Sequence, residues 1–175
     1  MKPLSLASII NLCLLSVLSA PLHAGQFTWT GSVDTVFTNK FNWSIVNSSA
    51  DYPSSNDSMY VGTITSNRPV LSQNQDVYYL RMMSGSLFDL KSYTFTVQNE
   101  AIFDGGTMSN GDLVVRGTIA KFNGSSFTSD LDTEAGIIEL SGGTFDGACR
   151  FKVNGSTVST GLGGCVFNDE VTLIQ

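Results

Sequence analysis

The side chains best suited to chemistry are three carboxylates, Asp130, Asp132 and Glu134, at positions i, i+2 and i+4. On an extended strand that spacing places them on one face, about 7 Å apart. Three hard oxygen donors on one face could begin a calcium site, with an outward Arg150 nearby. A second candidate is the aromatic group Trp29, Phe37, Phe41 and Trp43, which suits either a packed cap or a platform for stacked sugar rings. Cys149 and Cys165 are the remaining reactive residues of interest. No catalytic residue and no organic cofactor is expected.

The amino end bounds what these residues can do. Met1 and Lys2 precede a mostly apolar run, Leu4 to Ala20, and Pro21-Leu22-His23-Ala24 leads to Gly25. That order predicts a signal peptide over residues 1–24, cut after Ala24. The run is too short and too polar-flecked to span a membrane, so the mature chain is expected outside the cell, secreted or at the outer surface. Cleavage removes His23, the only histidine. Ser-His-Asp triads, Cys-His pairs and histidine-ligated zinc are therefore excluded.

Composition narrows the partners. The 175 residues carry 9 Lys and Arg against 15 Asp and Glu, a net charge of −6. Nucleic acid is not expected, because phosphate neutralisation requires clustered basic side chains. Charged residues make up only 14% of the chain, which argues against a helical protein rich in Glu, Lys and Ala.

The elements that must position these groups read as strands. After Gly25 no dozen residues repeat apolar positions at a helical period. Short β-branched and aromatic pieces are bounded by Gly, Asn, Asp or Ser: Ser58–Ile64, Val77–Met82, Tyr93–Val97, Asp112–Arg116, Ile137–Leu140, Arg150–Val153 and Glu170–Ile174. They also repeat. Met108, Phe127, Phe145 and Phe167 are separated by 19, 18 and 22 residues, and Phe103, Phe122 and Leu140 by 19 and 18. A period near 19 holding several short strands predicts a right-handed parallel β-helix, in which stacked coils share one core.

Alignment on these anchors, with one extra turn residue after Met108, separates the faces. Leu113, Leu131, Cys149 and Val171 form one inward column, and Val115, Thr133, Phe151 and Leu173 another. The residues between them point outward. Glu134 then stacks between Arg116 and Lys152, with Asp132 beside Arg150, so cross-coil ion pairs are the preferred account of the three carboxylates. Cys149 reads as a buried hydrophobe, and both cysteines are expected as free thiols. Asn-x-Ser triplets at Asn42, Asn47, Asn56, Asn123 and Asn154 read as turns, with Asn123-Gly124 and Asn154-Gly155 at left-handed positions. The 25–57 segment is predicted to cap the first coil, and 58–175 to form the coils, truncated or open at the carboxyl end. The one insertion is Asn154–Gly164, which includes Ser156 and Ser159.

Residues 29–44, with Trp29-Thr30-Gly31, Asp34, Phe37 and Asn42-Trp43-Ser44, resemble the W-T-G…N-W-S module that opens β-solenoid regions in exported bacterial surface proteins. Asn67-Arg68-Pro69-Val70-Leu71 resembles the turn that follows it. Phe122-Asn123-Gly124, Thr144-Phe145-Asp146-Gly147 and Phe167-Asn168-Asp169 resemble the repeats of the same class. The resemblance implies an autotransporter-passenger-like or adhesin-like solenoid without agreed catalytic residues. The carboxylates with Arg150 also resemble the calcium-and-arginine apparatus of β-helix polysaccharide lyases. The expected function is thus a non-catalytic surface solenoid, adhesive or spacer; the alternative is a polysaccharide-binding or calcium-dependent lyase-like protein. Expected partners are an extracellular or cell-surface glycan, and a second copy through the open carboxyl-terminal coil.

Overall fold

The computed structural model describes residues 25–63, 67–155 and 163–175. The expected signal peptide, residue Ile64 and the Ser156 and Ser159 portion of the insertion lie outside the described residues. Among the described residues there are twelve strands, with one 3-10 turn at Lys40–Asn42. They are β1 (Gln26–Trp29), β2 (Trp43–Val46), β3 (Ser58–Val61), β4 (Gln75–Met83), β5 (Leu87–Asp89) and β6 (Thr94–Ser109), then β7 (Asp112–Phe127), β8 (Asp130–Ser141), β9 (Thr144–Phe145), β10 (Cys149–Val153), β11 (Val166–Phe167) and β12 (Val171–Ile174).

These strands form a β-solenoid of stacked parallel coils. The main ladder runs β12-β10-β8-β7-β6-β4-β3-β1-β2, and only the β1–β2 pair is antiparallel. Both anchor rows fall into register. Phe88, Met108, Phe127 and Phe145 succeed one another, and Phe167 follows Phe145. Met82, Phe103, Phe122 and Leu140 form the second row. Strand spacing of about 4.8 Å lets flat rings stack face over face along such a column. Phe127–Phe145 centroids lie 5.2 Å apart at 7°, and Phe145–Phe167 4.8 Å apart at 16°.

The inward columns also stand as aligned. Leu113, Leu131, Cys149 and Val171 are in register, as are Val115, Thr133, Phe151 and Leu173. The extra residue after Met108 is absorbed by a tight turn, with Asn110 at φ 57° and Gly111 at φ 107°. Thr133 carries a cost, because its buried hydroxyl has no hydrogen-bond partner. In the last coil the inward positions are uncovered: Val171 is 36% and Leu173 67% exposed. Both described cysteines are free, Cys149 within its column and Cys165 packed against the core.

Three expectations need correction. The strands are longer than their sequence signals: β6 and β7 each run 16 residues, because pairing continues around the corners between coil faces. Phe41 does not join the cap; the 3-10 turn leaves it 67% exposed with Lys40 Nζ 5.3 Å from its ring centroid. Gly124 takes the predicted positive φ of 61°, but Gly155 does not. Gly155 is glycine for another reason: a Cβ there would lie 2.5 Å from the Gly136 carbonyl oxygen.

The column predicts its own weak point. Phe145 is fully buried between two stacked rings, so Phe145→Ala should destabilise the fold by about 3–5 kcal/mol through cavity formation. Phe41→Ala should leave the denaturation midpoint nearly unchanged. Urea titration followed by circular dichroism separates the two.

Candidate functional site

Strand alternation turns Asp130, Asp132 and Glu134 outward on β8, where β7 and β10 flank them. Register places Arg116 and Lys152 on either side of Glu134, and Val114 and Arg150 on either side of Asp132. Asp130, Asp132, Val114 and Arg150, with Thr94, Asp112 and Thr172, line a shallow concavity of about 470 Å³. The backbone order matches the sequence alignment, but one side chain departs from it. Arg116 reaches diagonally to Asp132 rather than to Glu134, donating to its carboxylate and its carbonyl oxygen. Asp132 thus sits between two guanidiniums, since Arg150 Nη1 donates to it at 2.7 Å. Glu134 accepts from Lys152 Nζ at 2.9 Å and from Asn154 Nδ2 at 2.8 Å. Asp130 accepts from the Ala148 N–H at 2.9 Å.

These partners set the electrostatics. Burial alone would push Asp132 up, but hydrogen bonds and charge from Arg116 and Arg150 hold its carboxyl below the usual range. The Lys152 and Asn154 hydrogen bonds bring Glu134 down to about 2. A general acid requires the opposite shift, toward neutrality. Burial, then the charges of Asp130 and Asp169, push the Cys149 thiol up to about 12, so it is no nucleophile near neutral pH. The face is a matched ion-pair ladder, and its carboxylate oxygens are largely committed to protein donors.

The aromatic candidates come together, but as packing. Trp43 lies edge-on to Trp29 at 4.9 Å, to Phe37 at 5.1 Å and to Phe27 at 6.1 Å. Phe37 stacks on Phe88 at 5.9 Å and 5°, tying the opening segment to the coil core. Trp29, Phe37 and Trp43 are buried, so no ring face remains open to a sugar. Their polar tips are satisfied: Trp43 Nε1 donates to Phe37 O and Trp29 Nε1 to Asn67 O.

Asn42 holds this arrangement, a role its sequence position alone did not reveal. Its Oδ1 accepts from the Val33 and Asp34 N–H groups, and its Nδ2 donates to Asp34 Oδ1 and Val36 O. The Asn42 carbonyl accepts from Thr30 and Gly31. Hydrogen bonds from Asn42, then Val36 and Asn39, hold Asp34 below the usual carboxylate range. Gly31, at φ 58°, lies where a Cβ would meet the Asn67 carbonyl oxygen at 2.4 Å. Trp, Gly, Asp, Asn and Trp of the opening motif therefore each have a structural task. Among the described residues no group of three or more His, Cys, Asp or Glu side chains has metal-binding geometry. Comparison with protein-family models, curated proteins and solved structures finds no match to this chain.

The Glu134 pairing has a testable sign. A carboxyl lowered in the folded state contributes stability that is fully present above its unfolded value of about 4.5 and is lost as pH falls toward about 2. Glu134→Gln should flatten that part of the acid limb. Parallel acid limbs for the variant and the native chain, measured as denaturant midpoints from pH 6 to pH 2, would exclude the contribution.

Proposed function

We propose that the chain is an exported bacterial β-solenoid that serves at the cell surface as a non-catalytic adhesive or spacer element. The observation that carries this reading is the unbroken parallel ladder from β3 to β12, with apolar columns inside and matched charges outside. Such a ladder is a stiff, extended support with regularly spaced outward positions. The opening-motif resemblance and the targeting signal favour the same reading, and the uncovered inward positions of β12 suit end-to-end contact with a second copy. Carboxylates committed to Arg116, Arg150 and Lys152 give a calcium-dependent lyase little support. Expression of the full chain with a carboxyl-terminal tag in a bacterial host tests location. Protease-accessible tag on intact cells is expected, and retention in the cytoplasm would overturn the reading.

A tyrosine corner favours a glycan as the adhesive ligand. At the β4 corner the Tyr78 and Tyr79 N–H groups both donate to the Asp57 carbonyl oxygen, and the register shifts there. Both rings therefore escape the core, and Tyr78 is 45% exposed. Tyr60 on β3 lies diagonal to Tyr79, with centroids 5.5 Å apart. Arg81, paired with Asp104 at 2.7 Å, offers planar polar groups beside the rings. Aromatic faces flanked by paired charges suit neutral sugars, whose C–H faces stack on rings, better than acidic ones. Cellohexaose should shift the Tyr60 and Tyr79 ring signals in NMR titration, with about tenfold weaker binding for Tyr60→Ala or Tyr79→Ala. Unmoved signals with cellohexaose and with chitohexaose would remove this assignment.

A further inference from the structure

Cleavage after Ala24 makes Gly25 the mature amino terminus, and Gly25 occupies a built position. Its nitrogen donates to Asp57 Oδ1 at 2.7 Å in a buried hydrogen bond. Its carbonyl accepts from Ser58 N at 2.8 Å, which continues the β1–β3 ladder by one residue. The position admits no side chain, because a Cβ would lie 2.5 Å from Ser48 Cβ and 2.8 Å from Asp57 Oδ1.

Asp57 is equally constrained. It is 7% exposed, and its Oδ2 accepts from Ser54 N at 2.9 Å and Ser54 Oγ at 2.6 Å. Its carbonyl holds the Tyr78 and Tyr79 amides of the next coil. The carboxylate thus meets three donors, all neutral in the uncut chain. A buried carboxylate is poorly compensated without an opposite charge. Hydrolysis of the Ala24–Gly25 bond supplies one: water is consumed, Ala24 leaves with the new carboxylate, and Gly25 keeps an amine that is protonated near neutral pH.

We propose that Asp57 is the receptor for the α-ammonium group of processed Gly25, so that removal of the signal peptide fastens the first coil with an ion pair. The inference rests on export with cleavage after Ala24. It gives residue 25 a role in the mature fold, beyond being the small residue at a cleavage site. Before cleavage the same nitrogen is an amide, and the contact is an ordinary hydrogen bond. After cleavage it is charge-assisted, and such bonds are roughly twice as strong as neutral ones.

The test is a two-by-two comparison of the matured chain beginning at Gly25, with a free or an acetylated amino terminus, each with Asp57 or with Asp57→Asn. Acetylation restores the amide that Ala24 supplies and removes only the charge. The free amine is expected to raise the folding equilibrium constant at pH 7 by about tenfold with Asp57, and by much less with Asp57→Asn. Equal stability of the free and acetylated chains with Asp57 overturns the pairing without any substitution, even if the Asp57→Asn chain fails to fold. Amino-terminal sequencing of the exported protein separates the two ideas. A terminus other than Gly25 overturns processing at this site, whereas a Gly25 terminus with no effect of acetylation overturns the ion pair alone.

Discussion

In-register parallel stacking places each residue beside its counterpart one coil away, about 4.8 Å distant, and every other feature answers to that. Apolar residues benefit, because a column such as Phe127, Phe145 and Phe167 buries its members against one another. Charged residues do not, since like charges directly opposite repel. The outer face resolves the conflict by alternation, with Arg116, Glu134 and Lys152 in one column and Asp132 between two arginines. Among the described residues, like charges adjoin at the exposed edge, where Asp112 neighbours Asp130 and solvent screens the pair.

Coils of unequal length remain in register because the corners take up the difference. Val77 pairs with Val97 and Tyr79 with Glu100, so one extra residue is absorbed between them. The next coil absorbs another between Val97 and Glu100. The flanking columns are undisturbed. The cost falls on the corner residues, which lose regular pairing and turn outward, and the exposed Tyr78 is one result.

Much of this was legible in the sequence, for a physical reason. A column of like residues is a periodic signal, so the Phe and Leu rows at 18- and 19-residue spacing disclosed the coil, its inward columns and the outward charges. Legibility declined where the period did. Phe88 and Met82 belong to the same columns, but their separations of 20 and 21 residues from Met108 and Phe103 concealed their membership. Contacts diagonal to the ladder were also hidden: Arg116 with Asp132 and Tyr60 with Tyr79 depend on side-chain reach rather than spacing. The cap was readable as aromatic, yet Phe41 and Phe37 look alike in sequence. Only the 3-10 turn, with Asn39 accepting from Phe41 N, decides which one is buried.

The reversal at β2 gives the ladder a polarity. Strands β3 through β12 repeat one direction, and β1 shares it, but β2 runs back against β1 and brings Trp43 across the end of the core. A parallel coil approaching from that side meets a strand of the wrong direction and an aromatic lid already filled by Phe27, Trp29 and Phe37. In-register stacking of a further parallel strand is thus blocked on the β2 side. The two sides of the described ladder are physically unlike: one carries a reversed strand and a filled aromatic lid, the other a parallel strand, β12, with Val171 and Leu173 exposed.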